Sequence, residues 1–330
     1  MRPVCDDWLT FVRPRLAPAL VDETAYECLR GVARHLPGDG LAALEIRLAA
    51  GSGPVDLSLK LSEPSRVRGL ADALPSPHRQ FLRRWEAGEL PSVPSLWLEL
   101  DLDFAADRAP DGLPHPVVCA EIAGGAEPNW LVETLLPEMR GAPLGSRQRE
   151  LALRILAAVP PPARPLYAFD LSSRGSDAIR LEILGLEPEA MPDLLGRVAP
   201  DLAPAVAAAS PLFSGAERPH LSLDITPEGI APRAGLEASF VRGPHREPRW
   251  KDLFDRLVDQ ELCDPEKREA VFAWPGQESF WAAPGRWPAE RAGLHGICVR
   301  TVSHVKLVVR PGRAPEAKVY LLFGRVGERT

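Results

Sequence analysis

Only five cysteines occur in the 330 residues: Cys5, Cys28, Cys119, Cys263 and Cys298. They are odd in number, widely spaced, and form neither a CxxC pair nor a zinc-like spacing with histidine. That disfavours a disulfide-stapled secreted domain, and single thiols in a reducing compartment are expected instead. No apolar run approaches the roughly 20 residues that cross a bilayer as a helix. The opening stretch MRPVCDDWLTFVRPRLAP carries charge and proline where a signal peptide needs an apolar core. A soluble, cytoplasmic protein with no membrane partner is the expectation. Positive charge is also in short supply: 39 lysines and arginines face 45 acids, for a net charge of −6. A general nucleic-acid binder is therefore not expected, and any anion site must be local and enclosed.

The common catalytic signatures are missing too. Seven histidines occur without HExxH or HxH spacing, which argues against a zinc hydrolase and leaves no metal ligand to assign. No GxGxxG follows a strand pattern, and neither GxxxxGK[ST] nor GxSxG is present. Dinucleotide-binding, P-loop and α/β-hydrolase readings thus lose their simplest support.

What the chain does contain is repeated architecture in an ordinary globular composition, 45% apolar and 25% charged. Five pairs of segments alternate apolar and polar residues across turn residues, the pattern of β-hairpins. They are 41–50 with 54–63, 94–104 with 113–123, 165–173 with 178–186, 219–227 with 229–241, and two runs within 303–324 joined by a Pro/Gly turn. Helical patterns separate them at 18–36, 64–87, 129–139, 147–159, 187–208 and 248–273. Prolines predict breaks near Pro75 and Pro77, at Pro192 and Pro200, and at Pro265. Each hairpin has one apolar face for the helices to cover and one polar face. An open ten-stranded sheet would leave that polar face wet and its edges unpaired, whereas closure removes the edges. The expected fold is α+β: a closed ten-stranded antiparallel β-barrel surrounded by helices, in five αββα-like repeats and one domain over 1–330. The alternative is a split near 160, at PPPAR, into 1–160 and 161–330.

Five helix-flanked hairpins, together with the tripeptide Lys318-Val319-Tyr320 and the inward parity of Lys306 and Arg310, resemble the ABBA-type or PT-barrel aromatic prenyltransferases. The architectural match spans about residues 18 to 324. The resemblance implies an isoprenoid diphosphate co-substrate and a small aromatic or peptide acceptor, both inside the barrel. It implies transfer of an allylic isoprenoid from its diphosphate to that acceptor, in specialised metabolism.

Alternation lists the candidate lumen face. It takes Glu45 and Arg47, then Asp56, Ser58 and Lys60. The second hairpin gives Trp97, Glu99, Asp101 and Asp103, and the third Asp170, Ser172, Arg180 and Glu182. The fourth gives Ser222, Asp224, Glu237 and Ser239, and the fifth His304, Lys306, Arg310, Lys318 and Tyr320. Acids dominate hairpins two to four and bases the fifth, which closure sets beside the first. Under the resemblance Lys306, Arg310, Lys318, Tyr320 and Arg180 hold diphosphate, with Arg47, Lys60 and His304 extending the cluster. Glu99 or Asp101 orients the acceptor, and the acidic arc can also take a divalent ion such as Mg2+. Three readings compete. Alternating charges also make solvated faces of cross-strand ion pairs. Asp101-Leu102-Asp103 matches the DxD of metal-dependent glycosyltransferases, although the βαβ context is missing. A non-catalytic peptide- or small-molecule-binding partner of a biosynthetic pathway fits the same lumen. The segment 274–296, rich in Gly, Pro and Trp, reads as a loop that caps one barrel mouth or anchors onto helices.

Overall fold

Period-two alternation becomes a single antiparallel sheet in the computed structural model, which describes residues 4–38, 40–63, 70–73, 78–102, 114–279, 287 and 296–326. The strands are β1 (Leu41–Arg47), β2 (Val55–Leu61), β3 (Leu96–Leu100), β4 (Val117–Glu121), β5 (Arg164–Asp170) and β6 (Ile179–Leu184). They continue with β7 (Arg218–Ile225), β8 (Ile230–Ser239), β9 (Gly276–Ser279), β10 (Ile297–Val309) and β11 (Glu316–Val326). Neighbours pair in order from β1 to β8, β8 pairs with β10, and β11 joins β10 to β1. That last strand closes ten strands into a barrel: Tyr320 lies opposite Glu45 on one side and His304 on the other. The β4–β5 pairing carries the sheet across the Pro-rich stretch near 160.

One strand was not anticipated. β9, inside the segment read as a loop, pairs with Ile297–Arg300 of β10, while β8 takes the Val305–Val309 half of the same edge. GQES has no apolar alternation, so only its pairing makes it a strand. Trp281 and most of 274–296 lie outside the described residues. Trp287 is among them, with its ring 4.6 Å from that of Trp8 and 6.0 Å from that of Phe11.

The helices are α1 (Cys5–Val12), α2 (Glu23–Ala33), α3 (Leu70–Ala73), α4 (Arg79–Glu86) and α5 (Pro128–Trp130). A π-helical turn (Leu131–Leu135) joins α5 to α6 (Leu136–Arg140). Then follow α7 (Ser146–Ala158), α8 (Met191–Val198), α9 (Ala203–Ala209), α10 (Arg249–Asp259) and α11 (Pro265–Ala273). Asp22 caps α2 by accepting from the Ala25 N–H at 2.8 Å. Asp264 caps α11, where Pro265 takes the first helical position. Pro192 does not interrupt its helix as expected. It sits in the first turn of α8, where its missing N–H costs nothing. The stretch 5–12 was not read as helical; α1 supplies Trp8 and Phe11 to the outer core.

That core fills the layer between barrel and helices. Leu44, Ile46, Leu57, Leu59, Leu98, Leu181, Leu221 and Leu236 form one buried cluster with α-helical side chains such as Leu29, Ile155, Leu194 and Leu253. Each such Leu or Ile stabilises the fold by about 1.5–3 kcal/mol. Trp250 and Trp274 belong to the same layer, donating through Nε1 to Arg242 O and Thr301 O. A separate small cluster, Val117, Cys119, Phe169, Leu171 and Ala178 with Trp97 and Tyr167, sits apart from that layer.

Candidate functional site

The lumen side chains divide along the barrel axis because each hairpin has a turn end and an end that leads into helices. At the turn end lies a cavity of about 300 Å³. Its cations are Arg47, Arg174, Arg180, Arg233, Lys306, Arg310 and Lys318, and its carboxylates are Glu45, Asp56, Glu99, Asp101, Asp224 and Glu316. At the helix-connection end a larger cavity of about 560 Å³ is walled by Trp97, Tyr167, Phe169, Phe240, His304 and Tyr320. Polar groups between those rings include Lys60, Glu121, Glu182, His220 and Glu237. Glu99, Lys306 and Tyr320 line both cavities and form the waist.

The expected segregation of acids from bases is not what the barrel builds. Register sets each cation beside a carboxylate on a neighbouring strand. Lys318 Nζ lies 2.6 Å from Glu45, whose other oxygen accepts the Tyr320 hydroxyl. Lys306 Nζ donates to Glu237 Oε1 at 2.7 Å. Arg180 and Arg233 share Asp224, at 2.6 and 2.5 Å. Arg47 reaches Asp56 at 2.9 Å and Glu316 at 3.6 Å, and Glu316 also faces Arg310 at 3.8 Å. The sequence cannot display these partners, because they are neighbours only across strands.

The pairing sets the protonation of the waist. Burial alone raises the Glu45 carboxyl, but Lys318 and Tyr320 outweigh it and hold it well below the carboxylate range. Burial likewise opposes Lys306, Arg180 and Asp224, yet their partners keep all three charged, Asp224 at about 2. Glu99 is the exception. Burial raises its carboxyl, and Arg174, Arg180 and Lys306 offset that only in part. Burial and Glu45 hold the Tyr320 phenol protonated, as a donor. Burial brings His304 down to about 4, so its ring is neutral at pH 7, stacked 3.9 Å from Tyr320.

The structure brings Arg47, Arg180, Lys306, Arg310, Lys318 and Tyr320 into the turn-end cavity, with Glu99 and Asp101. Lys60 and His304 line only the other one. Lys60 bonds Glu121 at 3.0 Å and stands over the Trp97 ring, apart from the basic cluster it was expected to extend. Asp101 is half exposed and bound by Arg174 at 2.5 Å. Its DxD partner Asp103 lies outside the described residues. Asp170 and Ser172 do not face the lumen as parity suggested. Tyr167 and Phe169 take that face, and Asp170 is fully buried beside His78, whose Nε2 is 3.5 Å away, with Ser172 donating to it. The parity argument assumed that apolar residues always face the helices, and here the lumen itself is aromatic.

Other residues escaped the sequence reading. His220 shares the parity of Ser222 and Asp224 within the segment 219–227 and could have been found by carrying the alternation back to it. Glu121 follows a run of apolar residues on β4, and Arg174 lies in the turn between strands, where no periodicity points. Gly235 also has a definite role. A Cβ there would stand 2.7 Å from Lys306 Cε and 2.3 Å from Ser222 Oγ, so only glycine lets the lysine stem cross β8.

A closed antiparallel barrel with a polar, ligand-sized lumen and an outer ring of helices is the PT-barrel architecture. The resemblance read from the sequence is present in the fold. AnaPT from Neosartorya fischeri superposes over 98% of this chain and 93% of its own, with a TM-score of 0.52 and 11% identity. PriB in ternary complex with L-tryptophan and dimethylallyl thiolodiphosphate gives 0.49 at 14% identity, covering 97% and 96% of the two chains. The 5-dimethylallyltryptophan synthase of Streptomyces coelicolor gives 0.48 at 11%, covering 96% and 95%. No protein-family model and no curated protein sequence matches the chain. At these identities the likeness concerns the fold.

Proposed function

We propose that this protein is a prenyltransferase, moving an allylic isoprenoid from its diphosphate to an aromatic or peptide acceptor inside the barrel. The observation that carries the reading is the split lumen: a cation-rich chamber meets an aromatic chamber at a waist of Glu99, Lys306 and Tyr320. Diphosphate in the turn-end cavity would take charge-assisted hydrogen bonds from Lys306, Lys318, Arg310, Arg180 and Arg47 and one from the Tyr320 hydroxyl. Each such bond to a charged group contributes about 1.5–3 kcal/mol. As the isoprenoid C1–O bond breaks, its electron pair goes to the diphosphate oxygen, where these donors stabilise the growing charge. The allylic fragment would face Trp97, Tyr167 and Phe169, whose ring faces attract a cation. The acceptor atom then bonds to C1, and its proton passes to the departing diphosphate or to Glu99 at the waist. Glu99, half-buried and with Arg174, Arg180 and Lys306 only partly offsetting its burial, is the carboxylate suited to accept a hydrogen bond from an acceptor N–H or O–H. Asp101, held by Arg174 at the rim, has the weaker claim. Mg2+ would enter with the diphosphate, using the carboxylates of the same chamber.

One observation favours a second reading. The turn-end cations are already paired with carboxylates, so an entering diphosphate must displace them. A non-catalytic binding partner would need no such exchange. Calorimetry with dimethylallyl and geranyl thiodiphosphate separates the two. Prenyl transfer requires saturable binding that is abolished in the Lys306→Ala, Lys318→Ala double variant. Absence of heat at millimolar ligand rejects it, and recovery of a specific peptide without turnover supports the partner role.

A further inference from the structure

Three adjacent strands set Glu182 (β6), His220 (β7) and Glu237 (β8) side by side on the wall of the larger cavity. His220 Nδ1 lies 2.5 Å from Glu182 Oε1 and 3.8 Å from Glu237 Oε2. One ligand atom from each of the three falls within 4.8 Å of the others. The two carboxylates are buried, each 4% exposed. Two carboxylates this close, taken out of water, need a cation between them.

The surroundings leave the inner edge of this cluster for such a cation. Lys306 occupies Glu237 Oε1 and fixes the carboxylate, while Oε2 faces His304 Nε2 at 3.4 Å as well as His220. Ser303 Oγ lies 3.1 Å from His304 Nδ1, and the Tyr320 ring stacks on the imidazole, an outer shell that aims Nε2 at the carboxylate.

We propose that Glu182, His220 and Glu237 form a binding site for a first-row divalent transition ion such as Zn2+. Mixed imidazole and carboxylate donors suit Zn2+, Co2+, Mn2+ or Fe2+, whereas Mg2+ prefers an all-oxygen shell that keeps several waters. Ligand bonds of about 2.0–2.2 Å place donor atoms roughly 3–3.5 Å apart around a tetrahedral ion. The 3.8 Å separation of His220 Nδ1 and Glu237 Oε2 is close to that, and the His220–Glu182 hydrogen bond opens by about an ångström to admit the ion.

The groups facing this imidazole are Glu182 from β6, Glu237 from β8, and Lys306 and His304 from β10, with Arg164 and Arg218 on the same cavity wall. The site stands in the other chamber from the turn-end cations and does not depend on the prenyl-transfer reading. Thiodiphosphate calorimetry and metal titration therefore fail independently.

The test uses the full chain, stripped with chelator and titrated with Co2+ and Zn2+ without any isoprenoid. The expected result is one equivalent bound, with visible Co2+ absorption that Zn2+ abolishes. Millimolar Mg2+ should not compete. Glu182→Gln and His220→Ala should each weaken binding by about 10–100-fold while the circular dichroism spectrum is retained. If either variant fails to fold, stoichiometry and absorption in the unaltered chain decide alone. No stoichiometric Co2+ binding at 1 mM to the folded protein, an unchanged affinity in folded His220→Ala, or equal competition by Mg2+ would each overturn the proposal.

Discussion

The two ends of the lumen are lined by the same strands and differ in what stands between their charges. At the turn end cation touches carboxylate directly, as in Lys318–Glu45, Arg180–Asp224 and Arg47–Asp56. At the helix-connection end such pairs also occur, as in Lys60–Glu121 and His220–Glu182, but rings stand among them: Lys60 lies over Trp97, and His304 lies flat on Tyr320. The turn end is therefore a small chamber of exchangeable ion pairs, and the other a larger chamber whose fewer ion pairs are set among aromatic walls. A diphosphate suits the first and an aromatic ring the second. The comparison also shows that a polar barrel interior is not a uniform medium, because register decides which charges meet.

The sharpest way to break this contrast is to remove the cations of one end. Lys306→Ala with Lys318→Ala should weaken thiodiphosphate binding by about 100-fold or more, since each lost charge-assisted bond contributes about 1.5–3 kcal/mol. Lys60→Ala should change it by less than about threefold, because that ammonium sits among the rings. Equal losses would erase the distinction.

Acid titration probes both ends at once. Asp224 at the turn end and Glu237 at the other are each held at about 2, as arginine and lysine partners outweigh burial. Their folded pKa values lie below the unfolded ones, so their contribution is present above about pH 4 and is lost as pH falls through about 2. Urea unfolding at pH 5, 3 and 2 should show a loss on the order of 2 kcal/mol from each. Asp224→Asn and Glu237→Gln should each flatten that dependence in part.

Gly235→Val crowds the Lys306 stem, and a destabilisation of about 1–3 kcal/mol is expected from overpacking, visible as a lower Tm. It should also weaken thiodiphosphate binding more than acceptor binding. The smallest effect belongs to the ring wall. Trp97→Ala should raise the acceptor KM by about threefold to tenfold, the worth of one aromatic contact, and weaken thiodiphosphate binding far less than the Lys306→Ala, Lys318→Ala double variant does.

Much of this architecture was legible because strands alternate. Glu45, Arg47, Asp56, Glu99, Arg180, Asp224, Glu237, Lys306 and Lys318 all line the lumen, as parity required. Barrel closure was legible from the count of hairpins with one polar face. The rule failed at β5, where Tyr167 and Phe169 turn inward and Asp170 meets His78 behind the sheet. An alternating strand with aromatics on one face and Ala and Asp on the other does not reveal which face is outside. The ion-pair partners were hidden for another reason. Glu45 and Lys318 are 273 residues apart and meet only because β11 closes onto β1. The Glu182–His220–Glu237 cluster is likewise assembled across three strands, so a search for histidine spacing could not find it. β9 owes its existence to the free edge of β10.

The assignment of opposite chambers to opposite halves of the reaction is tested most directly by a crystal structure with dimethylallyl thiodiphosphate bound. The account predicts phosphate oxygens within hydrogen-bonding distance of Lys306, Lys318 and Tyr320, with the dimethylallyl group pointing past the waist toward Trp97. A diphosphate seated instead beside Lys60, Arg164 and Arg218, or outside the barrel, would contradict it.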